Sequence, residues 1–232
     1  MSQVTTRQRS AVEYRPEVRF VLASQSPARL GVLRSAGFDP SVVVSGVDED
    51  AVAASLTDPA PAELVRALAT AKAEKVFETL VGSHSDHVGS ADMVIVGCDS
   101  MLSINGEMVG KPITPEAARE RWASMAGKSG ELLTGHAIIR VENGEKTKET
   151  SGTEGTIVRF GTPSQEEIDA YIASGEPLQV AGGFTLDGLG GWFIEGIDGD
   201  FSSVIGISLP LTRRLLAEVG VSVVDLWTRP AS

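Results

Sequence analysis

The run Val94-Ile-Val-Gly-Cys-Asp-Ser100, with Gly110-Lys-Pro112 a short way beyond it, constrains this chain more than any other stretch. Its apolar and β-branched residues predict a buried strand that ends on an acidic residue, Asp99, and a hydroxyl, Ser100. In open α/β sheets ligands collect just beyond the carboxyl ends of strands, so a carboxylate there points into a site. Gly106 allows a tight turn, and Lys111, pinned between Gly110 and Pro112, returns a cation to the same neighbourhood. A carboxylate and a lysine brought to one cleft by a hairpin suit water activation and phosphate binding. An aspartate that merely caps a turn is equally compatible with this segment taken alone.

The chain has 232 residues, 42% hydrophobic and 22% charged, enough for one large globular domain or two small lobes. A formal charge of −11 argues against a broad nucleic-acid surface, which needs clustered Lys and Arg. It leaves room for a nucleotide site served by a few local cations. Cys98 is the only cysteine, so neither an intrachain disulfide nor a thiolate zinc cluster can form. His84, His87 and His136 are too scattered for a histidine metal centre. No apolar stretch approaches the ~20 residues of a membrane span, and Met1–Pro16 lacks the apolar core of a signal peptide. A cytoplasmic protein with no membrane or nucleic-acid partner is expected.

The pattern predicts a strand over Arg19–Ala23, then a helix from Pro27 to about Ala36, with Ser26 as N-cap and Pro27 at the first helical position. A second strand is expected over Val42–Gly46, leading into the acidic turn Asp48-Glu49-Asp50. A long helix covers Pro61–Leu80, and a polar loop, Gly82–Ala91, precedes the central strand. Thr114-Pro115 opens a helix to Met125. Gly135–Val141 and Thr153–Phe160 read as strands separated by a charged loop over Glu142–Gly152. A helix from Pro163-Ser164 to Ala173, a strand over Trp192–Ile197 and a helix over Leu209–Val219 complete the chain. Loose ends are expected before Val18 and from Thr228 to Ser232, around a single domain over 18–227.

Three further constellations bear on chemistry. Ser24-Gln-Ser-Pro-Ala-Arg29 places a hydroxyl-rich turn at a helix N-terminus with an arginine in its first turn, which suits a phosphate, although Ser-Pro helix starts are common for structural reasons alone. Lys72 falls in the centre of the apolar stripe Val65, Leu68, Ala69, Val76 and Leu80, so it either snorkels or emerges into a pocket holding an anion. Asp48-Glu49-Asp50 is an ordinary solvated charge run unless, with Asp99, it holds Mg²⁺ or Mn²⁺. Gly127-Lys128-Ser129 imitates the end of a P-loop, but Trp122 stands where the earlier glycine belongs and no strand feeds it.

Taken in order, Ser24-Gln-Ser-Pro27, Asp48-Glu49, Ala71-Lys72-Ala73, Gly97-Cys-Asp-Ser100, Gly110-Lys-Pro112 and Met125-Ala-Gly-Lys128 resemble the motifs of the Maf family. So do Ser174-Gly-Glu-Pro177, Ala181-Gly-Gly-Phe184 and Gly199-Asp-Phe-Ser-Ser-Val204-Ile-Gly206, and the resemblance runs from about Val18 to Val219. It implies an α/β fold, a two-lobed mixed sheet with flanking helices around a central cleft, of the inosine-triphosphate-pyrophosphatase type. It also implies metal-dependent hydrolysis of nucleoside triphosphates to a monophosphate and pyrophosphate, a divalent cation (Mg²⁺ or Mn²⁺), cytoplasmic location, frequent dimerisation and a link to septum formation and division arrest.

By that resemblance Asp99 is the proton acceptor, and Ser24, Arg29, Glu49, Lys72 and Lys111 are the other cleft residues. Arg29, Lys72 and Lys111 can neutralise triphosphate charge, and Glu49, with Asp99, can hold the metal; whether Asp99 is base, metal ligand or both is open at this point. The chain departs from the family's named specificities at Ala28, Ser100 and Asp187, and also at Gly130 and Val180. An ionised Asp187 in the base pocket only accepts hydrogen bonds, which suits guanine or cytosine and disfavours uracil and thymine.

Overall fold

The computed structural model describes residues 18–82 and 92–228. The expected loop containing His84 and His87, and both outermost ends of the chain, lie outside the described residues. No helix among the described residues is long and apolar enough to cross a membrane. The protein is a mixed α/β structure built on one seven-stranded sheet of order β2-β1-β3-β5-β6-β7, with β4 paired to β3. The strands are β1 Arg19–Ala23, β2 Ser41–Val42, β3 Met93–Ile104, β4 Glu107–Val109, β5 Ser129–Glu142, β6 Glu145–Phe160 and β7 Ile194–Asp198. The helices are α1 Pro27–Ser35, α2 Glu49–Ala54, α3 Pro61–Gly82, α4 Pro115–Met125, α5 Gln165–Ala173, α6 Phe201–Ile205 and α7 Leu209–Glu218.

Three hydrophobic clusters explain the layering. On one face of the sheet Leu22, Val94, Val96, Cys98 and Ile138 meet Leu33 of α1 and Leu211, Leu215 and Leu216 of α7. On the other, Val21, Ala23, Ile95, Ala137 and Ile139 meet Ala69, Ala73 and Val76 of α3. The alternation along β1, β3 and β5 sends neighbouring side chains to opposite clusters, as the strand period of two requires. Further along, Leu102 of β3, Leu132 of β5 and Val158 and Phe160 of β6 join Trp122 of α4 and Tyr171 of α5 in a third, aromatic-rich cluster.

Local chemistry sets most helix starts. Ser26 caps α1, Thr114 caps α4 and Ser164 closes a capping box with Glu167 on α5. Asp48-Glu49-Asp50 is not a free acidic turn: Asp48 caps α2, accepting from the Ala51 amide at 2.9 Å, and Glu49 and Asp50 occupy its first turn, where carboxylates complement the helix dipole.

Several expected boundaries move. Strand β3 does not stop at Asp99 but runs to Ile104, because β5 pairs with it continuously from Val141↔Met93 to Glu131↔Ser103. Strand β2 spans only Ser41–Val42, since β1 turns away after Ala23 and offers no further edge. The supposed loop Glu142–Gly152 is mostly strand, reversed at Asn143-Gly144 with φ of 55° and 81°, the left-handed pair that a tight hairpin needs. Leu189–Phe193 forms 3-10 turns, so β7 starts at Ile194 rather than Trp192. Thr228 is not loose: its amide and hydroxyl both donate to the Gly37 carbonyl, at 2.8 and 3.0 Å.

Candidate active site

One edge of β3 carries two different partners. Parallel β1 pairs with it from Arg19↔Met93 to Ala23↔Gly97, and antiparallel β4 pairs from Ile104↔Glu107 to Leu102↔Val109. The two strands therefore approach each other head-on, and both peel away beside Cys98–Met101. Ser24 and the N-terminus of α1 leave from one side of this opening, Gly110 and Lys111 from the other. Asp99 lies beyond the carboxyl end of β1, although it is internal to its own strand, so the crevice forms where two strand ends diverge.

Arg29 fills part of the opening. Its Nη1 donates to the Cys98 carbonyl at 2.8 Å, taking the place of the missing strand partner, and to Ser24 Oγ at 3.1 Å. Its Nε donates to the Gly206 carbonyl at 2.8 Å and Nη2 to Ser100 Oγ at 3.2 Å. A guanidinium carries five N–H donors, and four of them are committed to described residues, leaving one on Nη2 with no described partner. Ser100 Oγ in turn lies 3.0 Å from Thr134 Oγ1 on β5. Arg29, Ser24, Ser100 and Thr134 thus form a framework joining α1, β3, β5 and the Gly206 turn, and Ser24 Oγ also accepts from the Ser26 amide at 3.1 Å.

The opposite face holds the charged centre. Gly97 and Gly135 lie on adjacent strands beneath α3, where a Cβ on Gly97 would run into the Ala69 carbonyl and one on Gly135 into that of Val65. This close approach lets Lys72 reach Asp99, two residues beyond Gly97 on the same face and opposite Gly135. Lys72 Nζ lies 2.5 Å from Asp99 Oδ1 and 2.8 Å from Glu49 Oε1. Lys72 and Asp99 are nearly buried, whereas Glu49 is half exposed. Burial pushes the Asp99 carboxyl above the usual carboxylate range, against the opposing pull of Lys72 and Arg29. Lys72 is therefore no simple snorkelling side chain.

Asp99 and Glu49 each meet Lys72 through one oxygen, and the second oxygen of each makes no hydrogen bond or ion pair with any described residue, leaving a hard donor on each carboxylate. Magnesium is commonly held by one or two carboxylates plus substrate phosphates, and the pair Glu49 and Asp99 fits that donor set. Cys98, also beside the centre, is fully buried with its thiol pushed up to about 11 by desolvation, so it stays an uncharged packing residue.

Lys111 is exposed and has no ion pair with any described residue. Asp187 is exposed on the segment after Phe184, and Ala28 is partly buried in the first turn of α1. The Asp187 segment is anchored from the Ser174-Gly-Glu-Pro177 motif, to which the sequence assigned no role: Glu176 accepts from the Thr185 hydroxyl and from the Gly190 and Leu189 amides, each amide at 3.1 Å. Thr134 and His136 were also unanticipated. His136 accepts from the Ser208 amide at 2.9 Å and lies 3.0 Å from the Thr134 carbonyl, and burial lowers its pKa to about 4. Buried polar residues in a long strand carry no local pattern that marks them.

The sequence pattern of the family described as Maf-like protein matches residues 19–219. The chain is 66% identical over 216 residues to a nucleoside triphosphate pyrophosphatase of Saccharopolyspora erythraea, covering 93% of this chain and 100% of that protein. Proteins of the same description from Nocardia farcinica and Rhodococcus opacus are 59% identical over 212 residues and 57% identical over 209. Those matches cover 91% and 90% of this chain and 97% and 95% of the relatives.

Proposed function

The chain belongs to the Maf family, and from that premise we propose that it is a nucleoside triphosphate pyrophosphatase, a hydrolase that cleaves triphosphates to a nucleoside monophosphate and pyrophosphate. The observation that carries this reading is the Lys72 ammonium held between Asp99 and Glu49 at the opening in the sheet. A protein that only sensed nucleotides would need cations for phosphate, but a carboxylate aimed at the same place would repel it.

In this reading the triphosphate lies along the opening, with Lys72 and Lys111 neutralising the charge that otherwise resists attack by water. Asp99, made more basic by burial, takes a proton from that water as its oxygen bonds to the α-phosphorus; the α–β anhydride bond breaks and pyrophosphate leaves. Lys72 fixes the Asp99 carboxylate for this step. Arg29 acts mainly by holding Ser24, the Cys98 carbonyl and Ser100 in register. Glu49 and Asp99 are the residues that would hold Mg²⁺ or Mn²⁺, which when bound supplies further charge neutralisation on the phosphate oxygens.

Asp187 and Ala28 set the base preference in this proposal: an acceptor-only carboxylate favours guanine or cytosine nucleotides, and the small Ala28 leaves room for a modified base. Removal of unwanted nucleotides from the cytoplasmic pool by a homodimer, with any effect on division arising through that pool, completes the reading. The test is a metal-supplemented panel of normal and modified triphosphates with pyrophosphate and orthophosphate measured separately. Pyrophosphate from at least one is expected; release from none overturns the enzyme, and orthophosphate alone moves cleavage to the γ position.

A further inference from the structure

The link Gly110–Thr114 carries Lys111 between β4 and α4, and its backbone is tied at nearly every step. The Gly110 carbonyl accepts from Arg121 Nη1 and from the Gly182 amide, the latter at 3.1 Å. Pro112 is buried, and Gly183 (φ +75°) passes so close that an added Cβ would stand 3.3 Å from its Cγ. The Ile113 amide donates to the Leu178 carbonyl at 3.0 Å, and the Thr114 amide closes a three-residue turn onto the Pro112 carbonyl at 2.8 Å.

That turn forces Ile113 to a φ of 68°. A β-branched residue in the left-handed region is strained, and three-residue turns of this hand are rare. The Ile113 side chain is 56% exposed, so its own packing does not offset the strain. The surrounding bonds hold it. Arg121 is equally unusual: it is half-buried, it has no carboxylate partner among the described residues, and the one hydrogen bond its guanidinium makes to them goes to the carbonyl immediately before Lys111. Strain held by over-determined surroundings is characteristic of functional segments.

We propose that Arg121 is a positioning residue for Lys111: its guanidinium pins the Gly110 carbonyl and, with the strained turn at Ile113, fixes the point from which Lys111 reaches the triphosphate. This rests on the reading above that Lys111 binds phosphate. Arg121 acts through Lys111, not on the substrate, so its contribution exists only while Lys111 is present.

A double-mutant cycle tests this. Arg121→Met is expected to lower kcat/KM by about tenfold, Lys111→Met by at least as much, and the double variant no further than Lys111→Met alone within about twofold. Arg121→Lys, which keeps one donor for the Gly110 carbonyl, should recover most of the loss. Independent, multiplying losses in the double variant would overturn the proposal by giving Arg121 its own contact with the substrate; wild-type kcat/KM in Arg121→Met would overturn it outright. If Arg121→Met fails to fold, the cycle run with Arg121→Gln decides by the same outcomes. Should the wild-type protein release pyrophosphate from no triphosphate, the functional reading fails separately, and the same cycle is read from the Kd of α,β-methylene-GTP.

Discussion

Lys72 Nζ stands 2.5 Å from Asp99 Oδ1, across the contact between α3 and β3 that Gly97 and Gly135 make possible. The pair is unequal: burial raises the Asp99 pKa despite the lysine, so ionised Asp99 is held at a net cost to the fold. Asp99→Asn removes that cost while keeping the shape. We expect its Tm to equal or exceed that of the wild type and its kcat to fall about 10²–10⁴-fold, the range for loss of a general base. More than about a tenth of wild-type kcat, well outside that range, would assign the proton to another group.

Lys72→Met has a different signature. It strands Asp99 without its nearest cation, and breaking a buried pair from one side typically costs about 3–5 kcal/mol. The lost cation drives the Asp99 pKa higher still, so the penalty applies while Asp99 is ionised and fades as falling pH protonates it. Thermal melts between neutral pH and pH 5 should show the deficit shrinking, and Lys72→Met/Asp99→Asn should recover much of it. A melting temperature equal to the wild type at neutral pH would contradict this.

Gly97→Ala and Gly135→Ala each force a methyl group into a carbonyl of α3. Backbone cannot yield as a side chain does, and overpacking typically costs about 1–3 kcal/mol or more. Both variants should melt well below the wild type and lose activity with it, because α3 carries Lys72. Gly31→Ala on α1, where nothing lies within 4 Å of the added atom, is the control and should melt as the wild type or slightly higher.

His136 gives the fold an acid limit. It is fully buried and neutral, its pKa lowered from 6.5 to about 4, while the unfolded chain protonates it near 6.5. The unfolded state therefore binds the extra proton between those values, and stability falls as pH drops through that window, by at most about 3 kcal/mol. His136→Gln, which can still accept from the Ser208 amide, should flatten the dependence of denaturation midpoint on pH between 6.5 and 4.5. Parallel wild-type and variant curves would remove His136 as the cause.

Base choice is tested at Asp187. Asp187 is exposed in the free protein, so the cost arises only where a bound base covers it; an acceptor so buried and left facing a carbonyl costs about 1–3 kcal/mol, roughly tenfold to a hundredfold in rate. Wild-type kcat/KM should rank guanine- or cytosine-type triphosphates above UTP and dTTP, and Asp187→Gln should move the ratio toward UTP and dTTP. A wild-type enzyme that already favours UTP or dTTP would place Asp187 outside the base pocket.

Helix starts were readable in advance because capping is local: Ser26-Pro27, Thr114-Pro115 and Ser164 announce α1, α4 and α5 within a few residues. The hairpin of β5 and β6 was obscured by charge. Glu145, Lys146, Lys148 and Glu149 look like a loop, yet they sit on an exposed strand whose partner supplies the order. The opening beside Cys98–Met101 depends on which strands share an edge, and no motif encodes that. Arg29 shows the same limit. Its position in a first helical turn suggests an anion, but its partners Cys98 and Gly206 are distant in sequence and only the fold brings them together.

Strand β5 supplies Leu132 to the aromatic cluster and Ile138 and Ile139 to the two clusters around α7 and α3. The walls on either side of the crevice are thus rooted in the same uninterrupted strands, with no linker between them. Narrowing such a crevice would mean bending hydrogen-bonded sheet rather than turning a hinge in a linker. Side chains along its rim, unlike the strands beneath them, can be exchanged without touching that frame.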